Sequence, residues 1–298
     1  MTAQDRFDNL AQQELVTVGS AKSRGALHSL REIFQQREML SLLIRRDLKS
    51  RYKDSALGFV WTLVRPLTQL LIYYIVIGHF LSAERGIPDF AIYVFTGLTA
   101  YGLLSETIGG GTSSIVGNAG LIKKIYLPRE VFPLASVGSA LFNFFIQLGI
   151  LLIATIIAGA FPFHADLIYA LPALLVLLVF GTAFGLFFAA VNVYLRDMQY
   201  LVEVMLLLLL WASPIVYSWS MVKDALGAGW LLDIYTNNPI TLAVLGFQKA
   251  FWTAGSGVAE YPVDLMARLG IAFVVGLVLL AIAQRVFSKL QGNFAQAL

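Results

Sequence analysis

Apolar residues in this chain come in long blocks, without the three-and-four spacing of a soluble amphipathic helix. Six blocks reach or approach the roughly 20 residues that a helix needs to cross a hydrocarbon core. They predict spans over Gly58–Leu81, Phe90–Ile108, part of Val131–Phe163, Leu167–Leu195, Val204–Met221 and Leu265–Phe287. The third and fourth contain no Asp, Glu, Lys or Arg, whereas Glu106 interrupts the end of the second. A further apolar run, Ile240–Thr253, carries Lys249 and follows the helix-breaking Asn237-Asn238-Pro239. At about two-thirds of a span, it reads as a re-entrant or interfacial segment.

Amphipathic patterning does occur ahead of the first span. Within residues 36–57, Leu40, Leu43, Ile44, Leu48 and Tyr52 fall on one helical face, while Arg45, Arg46, Lys49 and Lys53 lie largely off it. Such a helix lies in the membrane interface with its cations toward acidic headgroups. It serves either as a plain anchor or as a guide for a charged headgroup. Arg65, inside the first span, is costly there and either snorkels to the interface or faces a wet pathway. Between the second and third spans, Thr112-Ser113-Ser114 offer helix N-caps. A short helix over Ile115–Ile125 would follow, with Pro128 at the first helical position of the third span. A short helix between two spans is a usual contact with a cytoplasmic motor; a solvated loop is the plainer alternative.

Composition agrees with the blocks. The 298 residues are 58% hydrophobic and 13% charged, about half the roughly 25% charge of a soluble domain. The polar start, Met1 to Asp8, is not expected to be a signal peptide. With no cysteine, disulfides and thiolate chemistry are excluded. The net charge of +3 decides little, but its placement does. With six spans, sixteen of the 21 Lys and Arg fall on one side, ten of them in residues 1–57, so both termini are expected in the cytoplasm. A seventh span would place Arg285 and Lys289 outside.

Candidate chemistry is mostly missing. No G-x-x-x-x-G-K-[ST] occurs, and Gly109-Gly110-Gly111-Thr112-Ser113 lacks the spacing and the lysine to cradle phosphates. His28, His79 and His164 are scattered and read as structural. Ion-coupled carriers place acids or histidines at mid-membrane, but here Glu106 and Glu203 sit near predicted interfaces. No carboxylate or histidine pattern of a membrane glycosyltransferase or acyltransferase is present.

An ordered set of runs points further. These are Arg46-Asp47-Leu48-Lys49, Arg51-Tyr52-Lys53, Leu57-Gly58 with Trp61, Pro66-Leu67, Leu121 to Glu130, Tyr194-Leu195-Arg196-Asp197, Ser213 to Tyr217 and Asn238-Pro239. In that order, over about residues 40–290, the chain resembles the membrane subunits of type-2 ABC exporters of lipid-linked glycans, the Wzm- and TagG-like permeases. The resemblance implies an all-α membrane protein with six transmembrane helices per protomer. It implies a polar tail 1–35, an interface helix 36–57, a permease domain 58–290 and a cytoplasmic tail 291–298. Within the permease, 112–130 would be the coupling loop and 223–262 would supply short re-entrant outer helices. Asn118, Leu121, Ile122, Lys123 and Lys124 would meet the ATPase. The implied assembly is a homodimer with two nucleotide-binding subunits in the bacterial cytoplasmic membrane. ATP and Mg sit on those partners, with no cofactor in this chain and no nucleic acid. The cargo would be an O-antigen-, galactan- or teichoic-acid-like polymer on a lipid. Its pyrophosphate head would meet Arg45, Arg46, Lys49, Arg51 and Arg65, although Arg65 departs from the uncharged residue common there. Trp61, Tyr73, Tyr74, Phe80, Trp211 and Tyr217 would stack on sugar faces, though each alone also suits lipid-facing packing. The alternatives are a permease for a drug or small lipid and, less well supported, an ion-coupled carrier or membrane enzyme.

Overall fold

Backbone amides inside hydrocarbon must be satisfied within the chain, which restricts a single spanning segment to helix. The computed structural model describes residues 37–52, 60–80, 86–124 and 127–298, and helix is the only regular structure among them. The N-terminal tail and the side chains of Arg51, Tyr52, Arg65, Ile77 and His79 lie outside the described part.

Helix α1 covers Arg37–Tyr52. Helix α2, Val60–Ile72, continues as a π-helical stretch over Tyr73–Phe80. Helix α3 is Phe90–Gly117, followed by a single turn, α4, at Ala119–Ile122. Helix α5 is Val131–Ile157. A 3-10 turn, Ala165–Tyr169, leads into α6, Ala170–Tyr194. Then come α7 (Met198–Trp211), α8 (Trp219–Leu226), α9 (Trp230–Thr236) and α10 (Pro239–Phe251). Helix α11 is Leu265–Leu290, and a last turn, α12, is Phe294–Ala297. Among the described residues, three stretches are long and apolar enough to cross a membrane: Val131–Ile157, Ala165–Tyr194 and Leu265–Ala297. They coincide with the third, fourth and sixth predicted spans. Two shorter apolar helices, Val60–Val76 and Met198–Trp211, fall on the first and fifth.

Several expectations are corrected. The second predicted span does not stop at Ile108: α3 runs 28 residues, about 42 Å at 1.5 Å per residue, and Glu106 lies well inside it. Thr112, Ser113 and Ser114 are not caps. Their hydroxyls donate to carbonyls one turn back, Thr112 to Ile108 at 2.7 Å, Ser113 to Gly109 at 3.2 Å and Ser114 to Gly111 at 2.6 Å. The helix therefore continues, and the short helix expected over Ile115–Ile125 shrinks to α4. Pro128 is not the first helical residue of α5; it stands three places ahead, its carbonyl accepting from the Val131 amide at 3.2 Å. The fifth predicted span ends early, because α7 stops at Trp211 and the chain turns through Ser213-Pro214. Its 14 residues cover about 21 Å.

Packing centres on α3, which lies against α5 and α6, while α6 also packs on α11. Helix α10 inserts beside α3 and α6 and is buried along nearly its whole length. Asn238 caps it, accepting from the Ile240 amide at 3.0 Å, and Pro239 occupies the first turn, where a missing N–H costs nothing. Lys249 is tolerated there because Asp166 lies 3.7 Å away and the Tyr169 ring covers its ammonium at 4.2 Å. At the α3–α6 crossing, a Cβ on Gly111 would lie 2.8 Å from the Gly185 Cα. Small residues let the two backbones touch, as in other membrane helix pairs. Gly111→Val should therefore cost about 1–3 kcal/mol through overpacking, seen as a lower thermal midpoint of the detergent-solubilised protein. Gly117→Ala, which meets nothing within 4 Å, should leave that midpoint unchanged.

Candidate functional site

Three features could carry function: the turn around α4, a polar cavity between helices, and the broken end of α7.

At the α4 end, α1 packs on α5, and Leu43 is buried with Ile115, Ile122, Val131 and Phe132. The C-terminus closes the same cluster: Phe294 is fully buried against Phe287 and Tyr194, and the Tyr194 hydroxyl donates to the Leu290 carbonyl at 2.8 Å. Asn118 organises the turn. Its Nδ2 donates to the Ser114 carbonyl and its Oδ1 accepts from Arg46 Nη2, both at 2.7 Å. Its own carbonyl accepts from the Leu121 and Ile122 amides at 3.0 Å. Ile122 anchors the turn in the core and Leu121 packs partly against it, while Lys123 and Lys124 are exposed. The five residues grouped for this loop thus divide into three that hold it and two that face outward. Among the basic residues of α1, Arg45, Arg46 and Lys49 are exposed, and Arg46 is also bound to Asp47 at 2.7 Å.

Farther along α3, a cavity of about 670 Å³ opens between α2, α3, α5 and α7. Trp61, Thr62 and Gln69 line it from α2, and Leu210 from α7. Tyr101, Ser105 and Glu106 line it from α3, and Asn143 and Gln147 from α5. Asn143 Nδ2 donates to Glu106 Oε2 at 2.5 Å. Glu106 thus lines a polar cavity well inside a long helix. Sequence reasoning missed these amides because it searched the spans for charge. The signal was present as polar residues at helical spacing: Gly102, Ser105 and Glu106 on α3, Asn143 and Gln147 on α5, Thr62 and Gln69 on α2.

The six aromatics lie in different surroundings within the chain. Trp61 lines the cavity; Tyr73 is half-buried against the core, and Tyr74, Phe80 and Trp211 are exposed. Tyr217 acts on the backbone instead, its hydroxyl donating to the Trp211 carbonyl at 2.6 Å across the broken end of α7. There the Tyr93 hydroxyl lies 3.0 Å from the Pro214 carbonyl and 2.8 Å from that of Tyr217, and Gln248 Nε2 donates to Pro214 at 2.8 Å. Beyond the break, Lys223 meets Glu260 at 2.7 Å, and this hydrogen bond holds its ammonium above the usual lysine range.

Residues 38–252, from the start of α1 to the end of α10, match the ABC-2 type transporter family. The chain belongs to that family. Similar proteins include the O-antigen export system permease protein RfbA of Myxococcus xanthus, 30% identical over 90% of this chain and 98% of the relative. The protein of the same name from Klebsiella pneumoniae is 25% identical over 88% of this chain and 95% of its own length. The polysialic acid transport protein KpsM of Escherichia coli is 23% identical over 61% of this chain and 70% of its own.

For an ABC-2 type transporter chain, a transport subunit, the three features need no catalytic group. Among the described residues no cluster of side chains suits a metal ion. The broken end of α7 yields a direct test. Tyr93→Phe keeps the ring edge-on to Trp252, 4.8 Å between centroids, but removes the proton shared by two carbonyls. The Pro214 carbonyl keeps Gln248, but the partly buried Tyr217 carbonyl loses this donor; the expected cost is about 1 kcal/mol, read as a lower thermal midpoint in nanodiscs with faster amide exchange across residues 212–218.

Proposed function

We propose that this chain is the membrane subunit of an ATP-driven exporter carrying a lipid-linked polysaccharide across the bacterial cytoplasmic membrane. The observation that carries this reading is the near end-to-end likeness to O-antigen export permease proteins, 98% of one relative's length being matched. The chain has no phosphate-cradling loop of its own. ATP and Mg therefore belong on a separate ATPase subunit, two copies of which work with two copies of this chain. Helices α2, α3, α5, α6, α7 and α11 serve as the six spans. The positive-inside bias puts both termini, with tails 1–35 and 291–298, in the cytoplasm. Segment 36–57 is the interface helix of the permease domain 58–290, and α8 to α10 form the re-entrant outer segment 223–262.

In this reading the α4 turn within 112–130 is the coupling element. Lys123 and Lys124 present the docking surface, and Asn118, Leu121 and Ile122 fix the turn to α3. Because α3 is one unbroken helix from that turn past the cavity to Tyr93, a push from the ATPase reaches all three features as a rigid movement. The gap that changes is the one between α2 and α7 of opposing protomers, whose exposed faces are free in a single chain to meet a second copy. Arg45, Arg46, Lys49, Arg51 and Arg65 draw in the pyrophosphate head, and the aromatics guide the sugars. The cavity sets amides, hydroxyls and a carboxylate beside Trp61, Pro66, Leu98, Ile146 and Leu210, and so offers a sugar both hydrogen-bond partners and an apolar face.

Lys123→Glu combined with Lys124→Glu tests the coupling surface. Both side chains are exposed, so the thermal midpoint should hold while co-purifying ATPase subunit and surface glycan each fall at least tenfold. Glycan export by purified chain reconstituted with no ATPase present would sink the reading.

A further inference from the structure

The aromatics account for sugar faces but not for the polar wall of the cavity, and that wall has an unexplained feature. Asn143 is 8% exposed, and its Nδ2 is committed to Glu106. A carboxylate only accepts hydrogen bonds when ionised, so the donor side of the amide must face it. The carbonyl oxygen is then left over, and Asn143 Oδ1 is buried without a protein partner. Buried polar atoms are nearly always paired, and an exception needs a reason; Asn143 Oδ1 differs from the other such atoms in belonging to a residue of this cavity's wall. One helical turn on, Gln147 also lines the cavity, its amide oxygen 3.5 Å from where a Cβ on Gly102 would sit. Gln69 faces them from α2 and Ser105 from α3.

We infer that Glu106, Asn143, Gln147 and Gln69 form a subsite for sugar hydroxyls on the export path, with Trp61 at its edge as a stacking plane. This rests on the glycan-export reading and specifies where in the chain the cargo is read. A sugar hydroxyl both donates and accepts. It can donate to Asn143 Oδ1 or to the Glu106 carboxylate while accepting from the amide of Gln147 or Gln69. Adjacent hydroxyls of a pyranose or furanose present such pairs repeatedly, whereas an apolar drug or an acyl chain would leave Asn143 Oδ1 unpaired. The cavity, about 670 Å³, falls within the roughly 300–1,000 Å³ of ordinary ligand pockets. Three amides and one carboxylate can rebind as successive sugars pass, which suits a polymer in transit.

The test replaces amides by apolar side chains of similar volume. Gln69→Met with Gln147→Met is the main variant, because neither side chain is buried and the fold should tolerate both. Asn143→Leu is the second. Each is expressed in a strain depleted of the native chain. Membrane level, co-purifying ATPase subunit, ATP hydrolysis by the purified complex and surface glycan by periodate–biotin labelling are measured. Ser105→Cys is added in the otherwise cysteine-free chain, so that labelling by a charged methanethiosulfonate reports whether the cavity keeps its shape. The expected result is export reduced at least tenfold, with membrane level, ATPase activity and labelling rate within twofold of the parent. Export kept within twofold in the double methionine variant would overturn the subsite. So would a parallel loss of labelling or complex assembly in that variant, which would mark the amides as structural. If depleting the native chain itself leaves surface glycan unchanged, the export reading fails as a whole.

Discussion

A helix that breaks inside an apolar interior frees carbonyls that no water can reach, and each must find a donor from elsewhere in the chain. The break after α7 is where this protein meets that constraint, and much of the surrounding architecture follows from it. Ser213 Oγ donates back to the Leu209 carbonyl at 2.8 Å, and Tyr217 closes over Trp211. Pro214, which removes one donor and offers a carbonyl, is served by Tyr93 from α3 and Gln248 from α10. Those two helices are thereby held side by side, and α10, too short to span a membrane, gains a reason to be buried. Trp252, at its end, donates to the Pro88 carbonyl at 2.7 Å and seals the same corner against the start of α3.

Helix α3 carries the consequences to the other end. It enters through Asp89 in the left-handed conformation, φ 48°, passes the break at Tyr93 and the cavity at Tyr101 to Glu106, and ends at the turn organised by Asn118. Thr107, Thr112 and Ser114 donate to their own helix, so they add no demand for outside partners where it presses on α6 at Gly111. Asn192 supports that crossing by donating to the Thr112 carbonyl at 3.0 Å. A helix so packed moves as a unit, because local melting would expose amides that only the helix itself satisfies.

How much of this the sequence discloses depends on where the deciding interaction lies. The third, fourth and sixth spans were legible because apolar length alone decides them, and the start of α10 because Asn238-Pro239 is a local cap. The end of α7 was not, since its partners Tyr93 and Gln248 lie 121 and 34 residues from Pro214. Thr112 to Ser114 misled for a related reason: a hydroxyl suited to capping a helix is equally suited to bonding one turn back within it. Glu106 read as a span end because a charge truncates an apolar run, whereas the pairing with Asn143, on another helix, lets it sit inside. The two-way split of the α4 residues, inward for Ile122 and outward for Lys123 and Lys124, follows from a single turn whose length the sequence overstated. The amides at helical spacing were visible but unread, because polarity without charge drew no attention.

The cavity walls are unequal, and the inequality bears on how cargo could pass. Helices α3 and α5 bury much of their length in the core. Helix α2 has no fully buried side chain among those described and contains Pro66, and α7 buries only Val202. Elements with few buried contacts are the ones that shift at least cost. A change in cavity width is therefore cheapest on the α2 and α7 side, while Glu106, Asn143 and Gln147 stay fixed on the two rigid helices. The arrangement thus holds Glu106, Asn143 and Gln147 on the stable wall, while Gln69, Thr62 and Trp61 stand on the wall that gives.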